Sequence, residues 1–216
     1  MRRLFIIRHG RTQWNQEKRL QGASADSQLL TADLTGYHQL AAYLDAYPFA
    51  QVYTSPISRA AETARIVCTA MTQSLPTPQP LAGLAELSFG QWEGRKRDDL
   101  IASHRALFEK LSRRENDPGL AALGVEDFTL AQARFVAALN QIVAALSDDE
   151  NALIFSHGGI SQLGIRGATG NDRLLGLKNL STSIVASVNG QLFLDVYNQT
   201  AYLDHVALDE GNVSIL

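Results

Sequence analysis

The chain has 216 residues, 45% hydrophobic and 19% charged, with a formal net charge of −3 from 19 basic and 22 acidic residues. The length suits one α/β domain with an insertion, the composition argues against disorder, and so balanced a charge argues against a nucleic-acid binder. One cysteine, Cys68, cannot make an internal disulfide and fits a reducing compartment.

Arg2-Arg3 is followed by only four apolar residues, Leu4 to Ile7, too few for a signal peptide or a membrane span. The expectation is a cytoplasmic chain with no membrane partner. Leu4–Ile7 reads as a buried strand. "LTGYHQLAAYLDAY" places Tyr37, Leu40, Leu44 and Tyr47 at helical spacing. "QVYTS" reads as a short strand and "PISRAAETARIVCTAM" as a helix, with Thr54 or Ser55 as cap and Pro56 in the first position. Cys68 in that helix reads as a small buried apolar residue rather than a reactive thiol.

"PQPLAGLAEL" predicts a strand and a loop. "EGRKRDDLIASHRALFEKLSRREN" predicts a polar helix, and "NDPGLAALGVED" a turn and loop; residues 95–124 look like an insertion over one end of a sheet. "TLAQARFVAALNQIVAALS" predicts a second amphipathic helix, "ALIFSHGG" a buried strand and "ISQLGIRGATG" a helix closed by glycine. "TSIVASVNGQLFLDVYN" alternates about Asn189-Gly190, a hairpin signal. Strands alternating with helices imply an α/β layered sheet, mostly parallel, with an antiparallel element at its end.

Two of the buried strands end alike, in "FIIRHG" and "LIFSHGG". In open α/β sheets ligands bind beyond the carboxyl ends of the strands, so His9 and His157 are delivered to one edge. "QVYTS" ends at that edge too, and its helix carries Arg59 in the first turn. A cation is unfavourable at a helix N-terminus unless an anion lies between them. Arg8, His9, Arg59 and His157 therefore suggest a phosphate pocket. His9 must be neutral to attack phosphorus, and the flanking arginines favour that form. Glu86, in "LAELSFGQWEG", follows an apolar run; a carboxyl there beside a bound dianion is expected to hold its proton and serve as general acid.

The four motifs "RHG", "SRAAETA", "LAELSFGQWEG" and "SHGG", in this order, resemble the histidine phosphatase superfamily, the phosphoglycerate mutase-like proteins, over nearly the whole chain. The resemblance implies a single domain over 1–216. It would be a three-layer α/β/α sandwich with a mostly parallel central sheet, an antiparallel edge strand and a lid-like helical insertion over the active site. It implies that His9 is phosphorylated, that Glu86 donates the proton, and that Arg8, Arg59 and His157 complete the phosphate pocket. Asn15 matches a phosphate-contacting position, while Gln21, Gly22 and Gly158 match positions that approach substrate. No cofactor is implied.

The chain departs from the family pattern in three places. "GASADSQLLTADLTGYHQL" is longer than the usual D-x-P-L-T stretch and lacks its proline. "LGVEDF" replaces a usual Gly-Glu-Ser and leaves Glu126 without a role. The long basic insertion of the glycolytic mutases is not recognisable. These departures bear on the substrate, not on phosphohistidine chemistry.

Blander readings apply elsewhere. His38, His104 and His205 read as surface or helix-face residues, with His104 reaching substrate as the lesser alternative. Glu62 and Glu93 compete with Glu86 as acids. "GRKRDDL" reads as a solvated face. Trp14 and Trp92 read slightly more readily as pocket walls than as core. The leading function is hydrolysis of a small phosphorylated metabolite. Mutase-type phosphoryl transfer is second and a non-catalytic phospho-ligand module third. A metallophosphatase is disfavoured, because paired arginines repel cations and no ligand cluster has metal spacing. A homodimer is left open.

Overall fold

In a computed structural model of the chain, residues 1–207 are described. The strands are β1 (Arg2–Arg8), β2 (Gln51–Thr54), β3 (Gln79–Pro80), β4 (Asn151–Ser156), β5 (Thr182–Val188) and β6 (Gln191–Gln199). The helices are α1 (Gln13–Gln16), α2 (Thr35–Leu44), α3 (Ser58–Ala70), α4 (Arg97–Arg113), α5 (Pro118–Ala122), α6 (Phe128–Ala144) and α7 (Gly158–Thr169). The strands form one sheet in the order β3-β2-β4-β1-β5-β6. The first four are parallel to their neighbours; β5 is antiparallel to both β1 and β6. The reversed strand is thus one position in from the edge, and β6 closes the sheet through the hairpin. Asn189 and Gly190 turn that hairpin with φ of 52° and 80°, the left-handed pair a tight two-residue turn requires.

The sheet is covered on both faces because its central strands alternate between two apolar cores. Leu4, Ile6, Ala152 and Ile154 face one core with Phe135 and Leu139 of α6. Phe5, Ile7, Leu153 and Phe155 face the other with Leu40 and Leu44 of α2 and Ala64 and Val67 of α3. A strand buried on both sides reads as a continuous apolar run, which is why β1 and β4 stand out in the sequence.

Three details differ from the expectations. Helix α3 starts at Ser58, so Pro56 lies before it; the run-in backbone is extended at Ile57, and Ser55 Oγ accepts from Ile57 N at 3.2 Å. Thr54 ends β2 and caps nothing. The "NDPGLAALGVED" stretch contains α5, because Asp117 accepts from Gly119 N and Pro118 takes the first helical position. Helix α4 is bent at His104, whose φ and ψ of −141° and 40° are not helical. Among the described residues no helix is long and apolar enough to cross a membrane.

Candidate active site

The register of β1 on β4 builds the site. Arg8 lies opposite Ser156, so the next residues of the two strands, His9 and His157, leave the sheet side by side. Their rings stand edge to face with centroids 5.2 Å apart. Ser55, just past β2, joins them, because Thr54 lies opposite Phe155 and Ser55 N donates to the Phe155 carbonyl at 2.8 Å.

Each imidazole is held in one orientation. His9 Nδ1 lies 2.7 Å from the Gly10 carbonyl, which only an N–H can satisfy. The ring proton is therefore on Nδ1 and the lone pair on Nε2. Arg59 Nε donates toward that lone pair at 3.3 Å. His157 Nε2 lies 2.7 Å from Ser55 Oγ. Ser55 Oγ also accepts from Ile57 N at 3.2 Å, and a hydroxyl can serve Nε2 as donor or as acceptor. His157 Nδ1 is buried with no partner among the described residues. Burial, then the charges of Arg59 and Arg8, hold the His9 imidazole well below its usual range. His157 is lowered too, by burial first and then by Arg59, His9 and Arg8.

Gly10 is required by space. A Cβ there would lie 1.9 Å from the Tyr37 hydroxyl oxygen. Gly10 N donates to Thr63 Oγ1 on α3 at 3.0 Å. Asn179 Nδ2 reaches the His9 and Gly10 carbonyls at 3.0 and 3.1 Å and Asn15 Oδ1 at 3.3 Å.

Arg59, 1% exposed, uses every edge of its fork. Besides His9, Nη2 donates to the Gly22 carbonyl at 3.0 Å and Nη1 to Asp26 Oδ1 at 3.2 Å. Asp26 also accepts from Ser58 Oγ in the first turn of α3. The anion expected between Arg59 and the helix end is supplied in this structure by the chain's own Asp26. Arg8 Nη1 donates to the Leu177 carbonyl. Gln21 Oε1 accepts from Thr12 Oγ1 at 2.8 Å, while its buried Nε2 has no partner among the described residues.

Glu86, 4% exposed, caps α7. Its Oε1 accepts from Leu87 N at 2.9 Å and Ile160 N at 2.7 Å, and its Oε2 accepts from Gly159 N at 3.0 Å. Gly158 opens α7, but the closest approach falls on Gly159, where a Cβ would lie 2.8 Å from Glu86 Oε1.

A narrow cavity of about 60 Å³ is lined by Arg8, His9, Asn15, Gln21, Glu86 and Arg114, among others. Gly22 and Gly158 are not among its lining residues. A larger hollow, about 640 Å³, lies by α2, and none of the candidate site residues lines it. The smaller one is lined by the His9 imidazole, the guanidinium groups of Arg8, Arg19 and Arg114, and the Glu86 carboxyl, whereas Arg59 and His157 are not among its lining residues and stand against His9 instead.

The competing acids lie elsewhere. Glu62 pairs with Arg65 on the outer face of α3. Glu93 Oε2 accepts from Ser24 N and Ala25 N, and its Oε1 from Phe89 N, so it pins two loops together. Trp92 is core, 1% exposed and packed near Phe108, contrary to its reading as a pocket wall. Trp14 lies over Gly94. His38, His104 and His205 are exposed. Burial raises the Cys68 thiol to about 11, away from reactivity.

Arg114 is the lining residue that the sequence did not reveal. It follows α4 in the left-handed conformation, φ 61°, within 5.8 Å of the centroids of both Phe89 and Phe128. Its Nε is buried with no partner among the described residues, and burial pushes the guanidinium down to about 10, so it stays charged at neutral pH. Nothing in "SRREN" separates it from Arg113, which lies on the surface with Glu109.

The chain belongs to the histidine phosphatase superfamily (branch 1), whose family model matches residues 4–200. It is similar to the fructose-2,6-bisphosphatase TIGAR B of Danio rerio, 40% identical over 101 residues that span 45% of this chain and 38% of that protein. It is 29% identical to the Proteus mirabilis protein named "Probable phosphoglycerate mutase GpmB", over 97% of this chain and 99% of that one. Among solved structures, Bacillus stearothermophilus YhfR superposes with a TM-score of 0.81 at 26% identity, covering 94% of this chain and 99% of the other.

Proposed function

We propose that the protein is a phosphatase that hydrolyses a small phosphorylated metabolite through a phosphohistidine on His9. The observation that carries this reading is the orientation of His9. Gly10 takes the Nδ1 proton, and the Nε2 lone pair is left among the guanidinium groups. In the first half-reaction the Nε2–P bond forms as the P–O bond to the leaving group breaks. Glu86 gives its proton to the departing oxygen. In the second, water attacks phosphorus, Glu86 takes its proton, and the P–N bond breaks. Arg8, Arg59 and His157 Nδ1–H hold the equatorial oxygens, where transition-state charge is spread. Asn15 and Gln21 border the phosphoryl site, and the Gln21 Nε2, without a partner among the described residues, is a further donor.

A second reading, transfer of the phosphoryl group back to a substrate, is favoured by one feature. Arg114 brings a charged group to the cavity that could retain a departing anionic product. Scoring both free phosphate and isomerised product separates the two.

The test of the acid and nucleophile assignments is a comparison of leaving groups. An alkyl phosphate leaves as a basic alkoxide and needs a proton; a nitrophenyl phosphate does not. Glu86→Gln should depress kcat/KM for glycerol phosphate on the order of 10²-fold or more, and for nitrophenyl phosphate far less. His9→Ala should depress both alike. Equal losses with Glu86→Gln would reject the general-acid role.

A further inference from the structure

The side chain of Glu86 is held by α7, but its backbone is held by α6, through Arg134, which is not itself among the residues that line the cavity. Residues 82–84 form a short 3₁₀ turn, and the segment then runs extended to Glu86. Its carbonyls have no strand partner, and side chains take them. Arg134 Nη1 donates to the Gly83 and Ala85 carbonyls at 3.0 and 2.8 Å, and Nη2 donates to the Glu86 carbonyl at 3.1 Å. Ser156 Oγ, one residue before His157, donates to the Leu84 carbonyl at 2.8 Å. The segment lies close against α6: a Cβ on Gly83 would stand 2.7 Å from that of Ala138.

Glu126 fixes the guanidinium in turn. It accepts Arg134 Nε at 2.7 Å and Nη2 at 3.0 Å, the paired geometry that locks a planar fork in one plane. Glu126 also brackets Ser88: its backbone N donates to the Ser88 carbonyl at 3.0 Å, and its Oε2 accepts from Ser88 N at 3.2 Å. The Glu126–Arg134 pair thus grips the chain on both sides of residue 86. A bare packing role would need neither the fork nor the convergence on three carbonyls within four residues.

We propose that Arg134, oriented by Glu126, is a positioning residue that sets Glu86 within reach of the leaving oxygen; this rests on the general-acid reading of Glu86. The segment from Gly83 to Glu86 is irregular, so no ladder fixes its height above the cavity. Loss of the clamp would let the carboxyl drift, and a misplacement of about 1 Å can cost on the order of 10²-fold in rate. The cost would fall where the proton matters.

The experiment measures kcat with glycerol phosphate and nitrophenyl phosphate for Arg134→Met, Arg134→Lys, Glu126→Gln and Glu86→Gln, with melting temperatures alongside. Arg134→Met should lower kcat for the alkyl substrate about 10- to 100-fold and spare the aryl one. Arg134→Lys should recover part of the loss, and Glu126→Gln should show a smaller loss of the same selectivity. In a Glu86→Gln background, Arg134→Met should cost nothing further on glycerol phosphate, since there is no proton donor left to misplace. Equal losses on both substrates, or a full additional loss in that background, would overturn the positioning role. If Arg134→Met does not fold, Glu126→Gln, which keeps the shape and removes the charge, decides by the same criterion. If Glu86→Gln is itself unselective, the acid assignment fails and the positioning role falls with it. A selective Glu86→Gln beside unselective Arg134 and Glu126 variants overturns the positioning role alone.

Discussion

In the proposed mechanism, two bonds determine which nitrogen of His9 reacts. The Gly10 carbonyl takes Nδ1–H, and the remaining lone pair faces Arg59 Nε at 3.3 Å. In that mechanism Arg59 would hold the nucleophile neutral and receive the transferred oxygens while it stays anchored to Asp26 and the Gly22 carbonyl. A planar fork can face three ways at once; an ammonium on a flexible stem cannot. Arg59→Lys keeps the charge and should still lower phosphoryl transfer by about 10²–10³-fold, the loss typical of one preorganised donor. Single-turnover rates on nitrophenyl phosphate report this step directly. Near-wild-type transfer would reduce Arg59 to a structural residue.

At the level of elements, the legible part of the site is the part that secondary structure delivers. Strands β1 and β4 are apolar runs ending in histidine, and neighbouring parallel strands bring equivalent ends together, so His9 and His157 could be paired before any coordinates were known. Arg59 was legible for a related reason, as a cation misplaced at a helix start. What escaped depends on irregular chain. Ser55 looked like a helix cap and instead serves both Ile57 N and His157. Arg114 enters the cavity because the backbone turns left-handed after α4, and a turn at a non-glycine residue leaves no mark in the sequence. Arg134 sits mid-helix in α6, where spacing predicts only a half-exposed polar position. Trp92 was misread because its neighbours in sequence are motif residues, whereas its neighbours in space are the apolar face of α4. The layered fold was legible throughout, since hydrophobic alternation records which face of the sheet each residue meets.

For the molecule as a whole, the site sits between two cores at the sheet's carboxyl edge, and its buried histidines make stability depend on pH. Both His9 and His157 lie well below 6.5 in the folded state, burial being the first cause of each. Above that pH neither state binds the protons and the full stability is present. As pH falls below 6.5 the unfolded chain binds protons that the folded one refuses, so stability declines by up to about 1.4 kcal/mol per pH unit for each imidazole. Urea unfolding of the wild type and of His157→Asn at pH 7, 6 and 5 should show a steeper acid loss for the wild type. Parallel declines would mean that His157 titrates normally in the fold. The central claim is the covalent step on His9, and intact-mass analysis of enzyme rapidly quenched during turnover of nitrophenyl phosphate tests it most directly. The account predicts one phosphoryl adduct on wild type, mapped to His9, and none on a folded His9→Ala variant; an adduct on another residue, or one that persists in His9→Ala, would contradict it.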